Sequence, residues 1–172
     1  MKKMQVVLLS SVFAAVLAGC GSSPTAEQSG APVESRVATV NAGGVNGINL
    51  PRELTDPGSV LSKRSIYFDL DSYTIKSEQR DLVAAHAKFM VKNPQFKVLL
   101  QGNTDERGSS EYNLSLGQKR SDALKKALVL LGVSESQIET VSLGKEKPRN
   151  EGHDESAWAE NRRADILYAG EF

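Results

Sequence analysis

The chain has 172 residues, with 21 Lys and Arg set against 21 Asp and Glu. This balance leaves no basic excess of the kind that marks a nucleic-acid-binding surface. With 40% hydrophobic and 24% charged residues, the composition is that of one ordinary globular domain plus extensions. Cys20 is the single cysteine, which excludes an intrachain disulfide.

The first segment reads as an address. Lys2 and Lys3 precede an apolar run from Val6 to Leu17, broken only by Ser10 and Ser11 and too short to span a bilayer comfortably. It closes on Leu17-Ala18-Gly19-Cys20, small residues with a cysteine directly after them. An ordinary signal peptide with a leftover thiol is one reading. The pattern also resembles the lipobox of bacterial lipoproteins. That resemblance implies that residues 1–19 are a signal peptide, cut before Cys20, and that Cys20 is acylated on its thiol and its new amine. Several acyl chains anchor a protein stably where one binds only marginally. In enterobacterial lipoproteins an Asp after the cysteine retains the protein at the inner membrane. Gly21 stands there instead, which implies the outer membrane.

Residues 20–60 read as a flexible tether. Gly21 to Ser59 contains no aromatic residue and is dominated by Gly, Ser, Ala, Pro, Thr and Asn. Such a segment buries too little apolar surface to offset its ordering entropy. As a flexible chain it would reach on the order of 35 Å on average. The part from Val45 to Leu54 is more apolar, and the sequence leaves open whether it docks on the domain.

The domain is expected over 61–172. Ile66, Phe68 and Leu70 alternate with Tyr67 and Asp69 as a strand. A helix follows from about Ser77, with Leu82, Val83, His86, Phe89 and Met90 on one face, and Asn93-Pro94 stops it. Phe96, Val98 and Leu100 form a second strand that delivers the chain to Gly102. A long helix runs from about Ser110 to Leu131, with a packing stripe of Leu114, Gly117, Ser121, Leu124, Leu128 and Leu131. Gly117 costs a helix about 1 kcal/mol relative to Ala, which points to close packing there. Gly132 is placed to cap the helix. Ile138 to Leu143 is a third strand, Gly144 to Asp154 a charged loop, Glu155 to Asn161 a helical turn and Ala164 to Tyr168 a last strand. This order predicts an α+β fold, a four-stranded mixed sheet with two main helices on one face.

Enzyme chemistry finds little support. There is no Gly-x-Ser-x-Gly elbow to use His153-Asp154, and Gly102 to Gly108 lacks the Lys-Ser/Thr of a phosphate loop. His86 sits on an apolar helix face, as a core histidine does, and two unrelated histidines do not make a zinc site. No catalytic set, metal or cofactor is therefore expected. Binding is better supported. Asp105 lies in a polar loop after a strand, and Asn113 and Arg120 share a helix face seven residues apart. An acid and a guanidinium there suit a zwitterionic ligand, such as the end of an amino acid. They equally suit a structural salt bridge with each other, and spacing alone leaves both open.

The stretch Gly102-Asn-Thr-Asp-Glu-Arg-Gly108, then Tyr112-Asn113-Leu114 and Leu116-Gly117-Gln118-Lys119-Arg120, resembles OmpA-like peptidoglycan-binding domains. So do Tyr67 to Tyr73, Thr140 to Pro148, Gly152 to Glu155 and Trp158 to Arg163; with the lipobox, the last sets resemble the family's lipoproteins in particular. The resemblance covers residues 61–169. It implies a clamp on the diaminopimelate of the peptidoglycan stem, with Asp105 on its ammonium and Arg120 on its carboxylate. Leu70, Asp71 and Tyr73 would form the facing loop, Thr104 and Asn113 would brace the site, and Arg163 would stand near its rim. Two positions depart from the common pattern: Asn103, where many members have His, and Leu70, where Phe is common. The resemblance further implies a place in the Tol–Pal envelope system, with the periplasmic β-propeller protein TolB as partner. Roles in envelope integrity and cell division would follow. It also implies that His153-Asp154 positions the last strand and that Trp158 packs on the sheet.

Overall fold

The alternation noted in the strands decides how the chain layers. The computed structural model describes residues 50–172; the signal peptide 1–19, Cys20 and residues 21–49 of the expected tether lie outside the described residues. Strands β1 (Ser65–Tyr67), β2 (Val98–Asn103), β3 (Ile138–Gly144) and β4 (Arg163–Tyr168) form a sheet of order β1-β4-β2-β3. β4 is antiparallel to both its neighbours, whereas β2 and β3 are parallel. Parallel neighbours need a crossover, which is α3 (Ser110–Leu130). Every second residue of the strands, among them Ile66, Val98, Leu100, Ala164, Ile166 and Tyr168, enters one core with Val83, Ala87, Phe89 and Met90 of α2 (Arg80–Lys92) and Leu124 and Leu128 of α3. The mixed sheet with two main helices is thus as expected.

The domain begins earlier than residue 61. A one-turn helix α1 (Arg52–Thr55) places Leu54 in the core at 2% exposure, and Leu50 and Leu61 pack against the same cluster. Residues 50–60 therefore belong to the domain. Leu50, Leu54 and Val60 stand four and six residues apart among Pro, Gly and charged residues and set no period, which is why the sequence left the docking open.

The stripe of α3 also differs from expectation. Its buried residues are Asn113, Leu116, Gly117, Arg120, Ser121, Leu124 and Leu128, whereas Leu114 and Leu131 are 53% and 50% exposed. The true face follows the i, i+3, i+4, i+7 rows through two polar residues, so a reading that favours leucine drifts off it. Ser109 caps the helix by accepting from the Tyr112 N–H, and Gly132, at φ 96°, closes it. There the Val133 N–H donates to Leu128 O and the Gly132 N–H to Val129 O.

His86 is the core histidine expected. Its Nε2 donates to Lys63 O at 2.9 Å and its Nδ1 accepts from the Tyr168 hydroxyl at 3.0 Å. Burial pushes its pKa down to about 4, so the ring is neutral. A short helix, α4 (Glu155–Asn161), capped by Asp154, leads into β4.

The close packing predicted at Gly117 is on Gly102 of β2. A Cβ built on Gly102 would stand 1.9 Å from Gly117 O, and one on Gly117 2.2 Å from the Ser142 hydroxyl. The first obstacle is backbone; the second is a rotatable side chain, with the Gly102 carbonyl oxygen also close at 2.9 Å. Gly102→Ala is therefore expected to destabilise the domain by about 3 kcal/mol or more, and Gly117→Ala by less. Urea unfolding of the two variants checks the order.

Candidate functional site

At the carboxyl end of β2, the loop 104–109, the turn after β1 and the first half of α3 enclose a cavity of about 280 Å³. Its lining includes Leu70, Asp71, Thr104, Asp105, Asn113 and Arg120. Six of the eight expected binding residues are thus brought together.

Arg120 is the most deeply set of them, at 0% exposure. Its Nε donates to Ser72 O at 2.9 Å, Nη1 to Asn103 O at 2.8 Å and Nη2 to Asp69 O at 3.1 Å. A guanidinium has five N–H donors, so one hydrogen remains on each terminal nitrogen. Among the described residues no carboxylate lies within 4.0 Å of it. Burial lowers its pKa to about 10, against the pull of the Asp105 charge, and the group stays cationic at neutral pH.

The alternative of an Asp105–Arg120 salt bridge is therefore not what forms. Asp105 pairs with Arg107 Nη2 at 2.7 Å and with Arg162 Nη1 at 3.3 Å, and it accepts from the Arg107 N–H at 3.1 Å. Burial alone would raise its pKa; the Arg107 hydrogen bonds and charge, with the Arg162 bond, outweigh this and hold it below the usual carboxylate value.

The rest of the pocket is built around these two groups. Asp71 takes a left-handed conformation, φ 50°, which Asp tolerates better than most residues, and its carboxylate accepts from the Tyr112 hydroxyl. Arg120 fixes that turn from beneath through the carbonyls of Asp69 and Ser72. The Thr104 hydroxyl donates to Asp105 O, and Asn113 Nδ2 to Arg107 O at 2.8 Å; both shape the loop.

Two expected residues stand elsewhere. Tyr73 lies beyond the lining, half exposed, with the Lys119 ammonium 5.7 Å from its ring centre. Arg163 is not at the rim: it is buried on β4, where its Nε donates to Asp165 at 2.9 Å. Its neighbour Arg162, the C-cap of α4, reaches Asp105 instead. Trp158 does not pack on the sheet. Its ring centre lies 4.1 Å from the Arg107 guanidinium, and its indole N–H donates to Glu106 at 2.9 Å. His153 also meets Glu106, at 2.9 Å. This pair ties the site's loop to the segment before α4, and Asp154 caps that helix.

Arg107, Gly108, Tyr112, Leu116 and Arg162 are the contributors that sequence reasoning missed. Arg107 lies two residues from Asp105 in the same motif, and that proximity was the available signal.

Comparisons with known proteins match this fold. A family model described as the OmpA family matches residues 67–162. A protein named peptidoglycan-associated lipoprotein from Pasteurella multocida is 42% identical over 98% of this chain and 100% of its own length. The crystal structure of the peptidoglycan-associated lipoprotein from Burkholderia pseudomallei aligns at a TM-score of 0.66 and 58% identity, covering 67% of this chain and 98% of that one. The C-terminal domain of MotB from Helicobacter pylori, 20% identical with a TM-score of 0.57, shares the fold. The chain belongs to the OmpA family.

Because Asp105 has a lowered pKa in the folded state, its stabilising contribution is full above the unfolded value and disappears as pH falls through the folded one. Removing a cationic partner raises the folded value. In Arg162→Ala the Asp105 carboxyl should titrate at higher pH than in the parent, and acid unfolding should begin at higher pH. Carboxyl-carbon NMR titration of the two proteins tests this.

Proposed function

We propose that the chain is a non-enzymatic envelope lipoprotein that grips peptidoglycan non-covalently through the diaminopimelate of a stem peptide. The observation that carries this is the Arg120 guanidinium: fully buried, cationic, without a carboxylate partner among the described residues, and forming a wall of an open cavity. A buried charge that meets only neutral acceptors is costly, and an arriving carboxylate relieves the cost. The names of its relatives support the same reading.

In this reading the ligand's carboxylate accepts from the two remaining Arg120 hydrogens as a fork. Its ammonium approaches Asp105. Arg107, whose side chain is 36% exposed, is the partner able to yield there, while Arg162, at 7%, stays in place. Leu70 and Asp71 close the facing wall, and Thr104 and Asn113 keep the loop in shape. Acyl chains on Cys20 would hold the outer membrane, and residues 21–49 would set part of the gap. A single site of this kind is modest in strength, and many copies on one polymer would make the linkage durable. The Tol–Pal system, with TolB as partner, and a role in constriction at division complete the reading.

Hydrogen bonds to charged groups contribute about 1.5–3 kcal/mol, so a diaminopimelate stem should bind roughly ten- to a hundredfold tighter than a lysine stem, which lacks the second carboxylate. Calorimetric titration with both peptides measures the ratio, and equal affinities would sink the assignment. Arg120→Ala should abolish pull-down on purified wall. That variant also strips three carbonyls of their donor, so Arg120→Lys, with circular dichroism as a check on folding, is its companion. Undiminished binding by both variants would remove the pocket from this role.

Cys20→Ser should release the protein in soluble form from the outer-membrane fraction. Retention of the variant there after a high-salt wash would defeat the anchor.

A further inference from the structure

The exposed apolar side chains of the domain gather at two ends. Leu70 and Tyr112 line the pocket, at the carboxyl end of β2. Val91, Val129, Leu130 and Leu131 stand at the opposite end, where α2 and α3 finish beside the start of β2. Leu130 is 87% exposed, more than any other large apolar residue of the domain, and lies about 15 Å along α3 from Arg120. The Val91 side chain comes close to the cap of α3, 3.7 Å from the position a Cβ on Gly132 would occupy, so the two helix ends form one surface.

Free lysines outnumber free acids around this patch. Lys88, Lys92, Lys97 and Lys126 are exposed, and none of them lies within 4.0 Å of a carboxylate among the described residues. Lys125 is neutralised by Glu135 at 2.9 Å; Asp122, which lines a groove with Lys126, Val129 and Leu130, and Glu53 and Glu139 are the acids nearby that form no ion pair. The chain enters the domain at the same end. Arg64, at the mouth of β1, donates to Leu54 O at 2.9 Å and lies over the Tyr168 ring, and Tyr168 pairs with Val98 at the start of β2. Glu53 and Val60 share a groove with Lys88 and Lys92.

We propose that this pole, built on Val91, Val129, Leu130 and Leu131 and ringed by lysines, docks on an anionic phospholipid surface. Apolar side chains would enter the interface and the lysines would meet lipid phosphates. Docking there turns the pocket away from the membrane. The chain's entry favours a bilayer over other occupants: Glu53, at the start of the domain, shares a groove with Lys88 and Lys92, so a chain anchored through Cys20 would reach the domain at this end. The choice of a lipid surface thus rests on the anchor reading. The docking itself needs no anchor and can be measured without one.

The test is vesicle sedimentation of unacylated Cys20→Ser protein, using phosphatidylcholine vesicles with and without phosphatidylglycerol. The protein should sediment with the anionic vesicles and be released by salt. Leu130→Glu with Leu131→Glu should weaken that binding at least tenfold while wall pull-down is unchanged, which reports an intact domain. Lys92→Gln with Lys126→Gln should weaken it on anionic vesicles alone. Absence of binding to anionic vesicles, or equal binding by the Leu130/Leu131 variant, overturns the proposal. So does a concentration-dependent dimer abolished by the same substitutions, which would assign the patch to a second copy. Failure of the anchor reading shows separately, as soluble release of the parent protein with Cys20 intact.

Discussion

A guanidinium taken out of water must be met by acceptors, and the acceptors of Arg120 define the site. They are carbonyls of Asp69 and Ser72, in the turn after β1, and of Asn103, at the end of β2. Segments far apart in sequence are thus fixed on one side chain of α3. The arrangement works only if α3 lies close to the sheet, and Gly102 and Gly117 allow that approach by presenting no side chains to each other. The same contact sets the depth of the pocket. Helix packing and ligand geometry are therefore one constraint: a shift of α3 would move Arg120 off its carbonyls and open the turn holding Asp71.

The second acid–base element behaves differently. Asp105 is matched within the protein, by Arg107 and Arg162, and so costs little to bury. Arg107 is itself held against Trp158, which hydrogen-bonds to Glu106 of the same loop. The pocket thus joins a cation that has only neutral partners to a carboxylate that has more than it needs.

Much of the architecture was legible because it depends on periods. Alternation in Ile66–Phe68, Val98–Leu100 and Ala164–Tyr168 marked the strands, and a glycine at 117 inside a long helix foretold a close contact. What escaped were features without a period. Leu54 stands in a stretch with no apolar repeat, yet it is buried in the core. The α3 face runs through Asn113 and Arg120, so counting leucines misplaced Leu114 and Leu131. In the site, charge complementarity could be read but partner choice could not. Arg162 and Arg163 are adjacent, and only the position of the α4–β4 junction decides that one reaches Asp105 and the other Asp165. Arg107 has Asp105 and Glu106 as near neighbours in sequence, and only the folded loop decides that it pairs with Asp105.

β1 enters from the pole opposite the pocket and runs directly into the turn that Arg120 holds. Its neighbour β4 is antiparallel to it and is hydrogen-bonded to β2 on its other side. Tension applied between the chain's entry and a ligand in the pocket therefore acts along the strand axis. Under such a load the hydrogen bonds between β1 and β4 are sheared together, not peeled one at a time. A load between these two ends of the domain would run along its strands, the direction in which the β1–β4 pairing resists most.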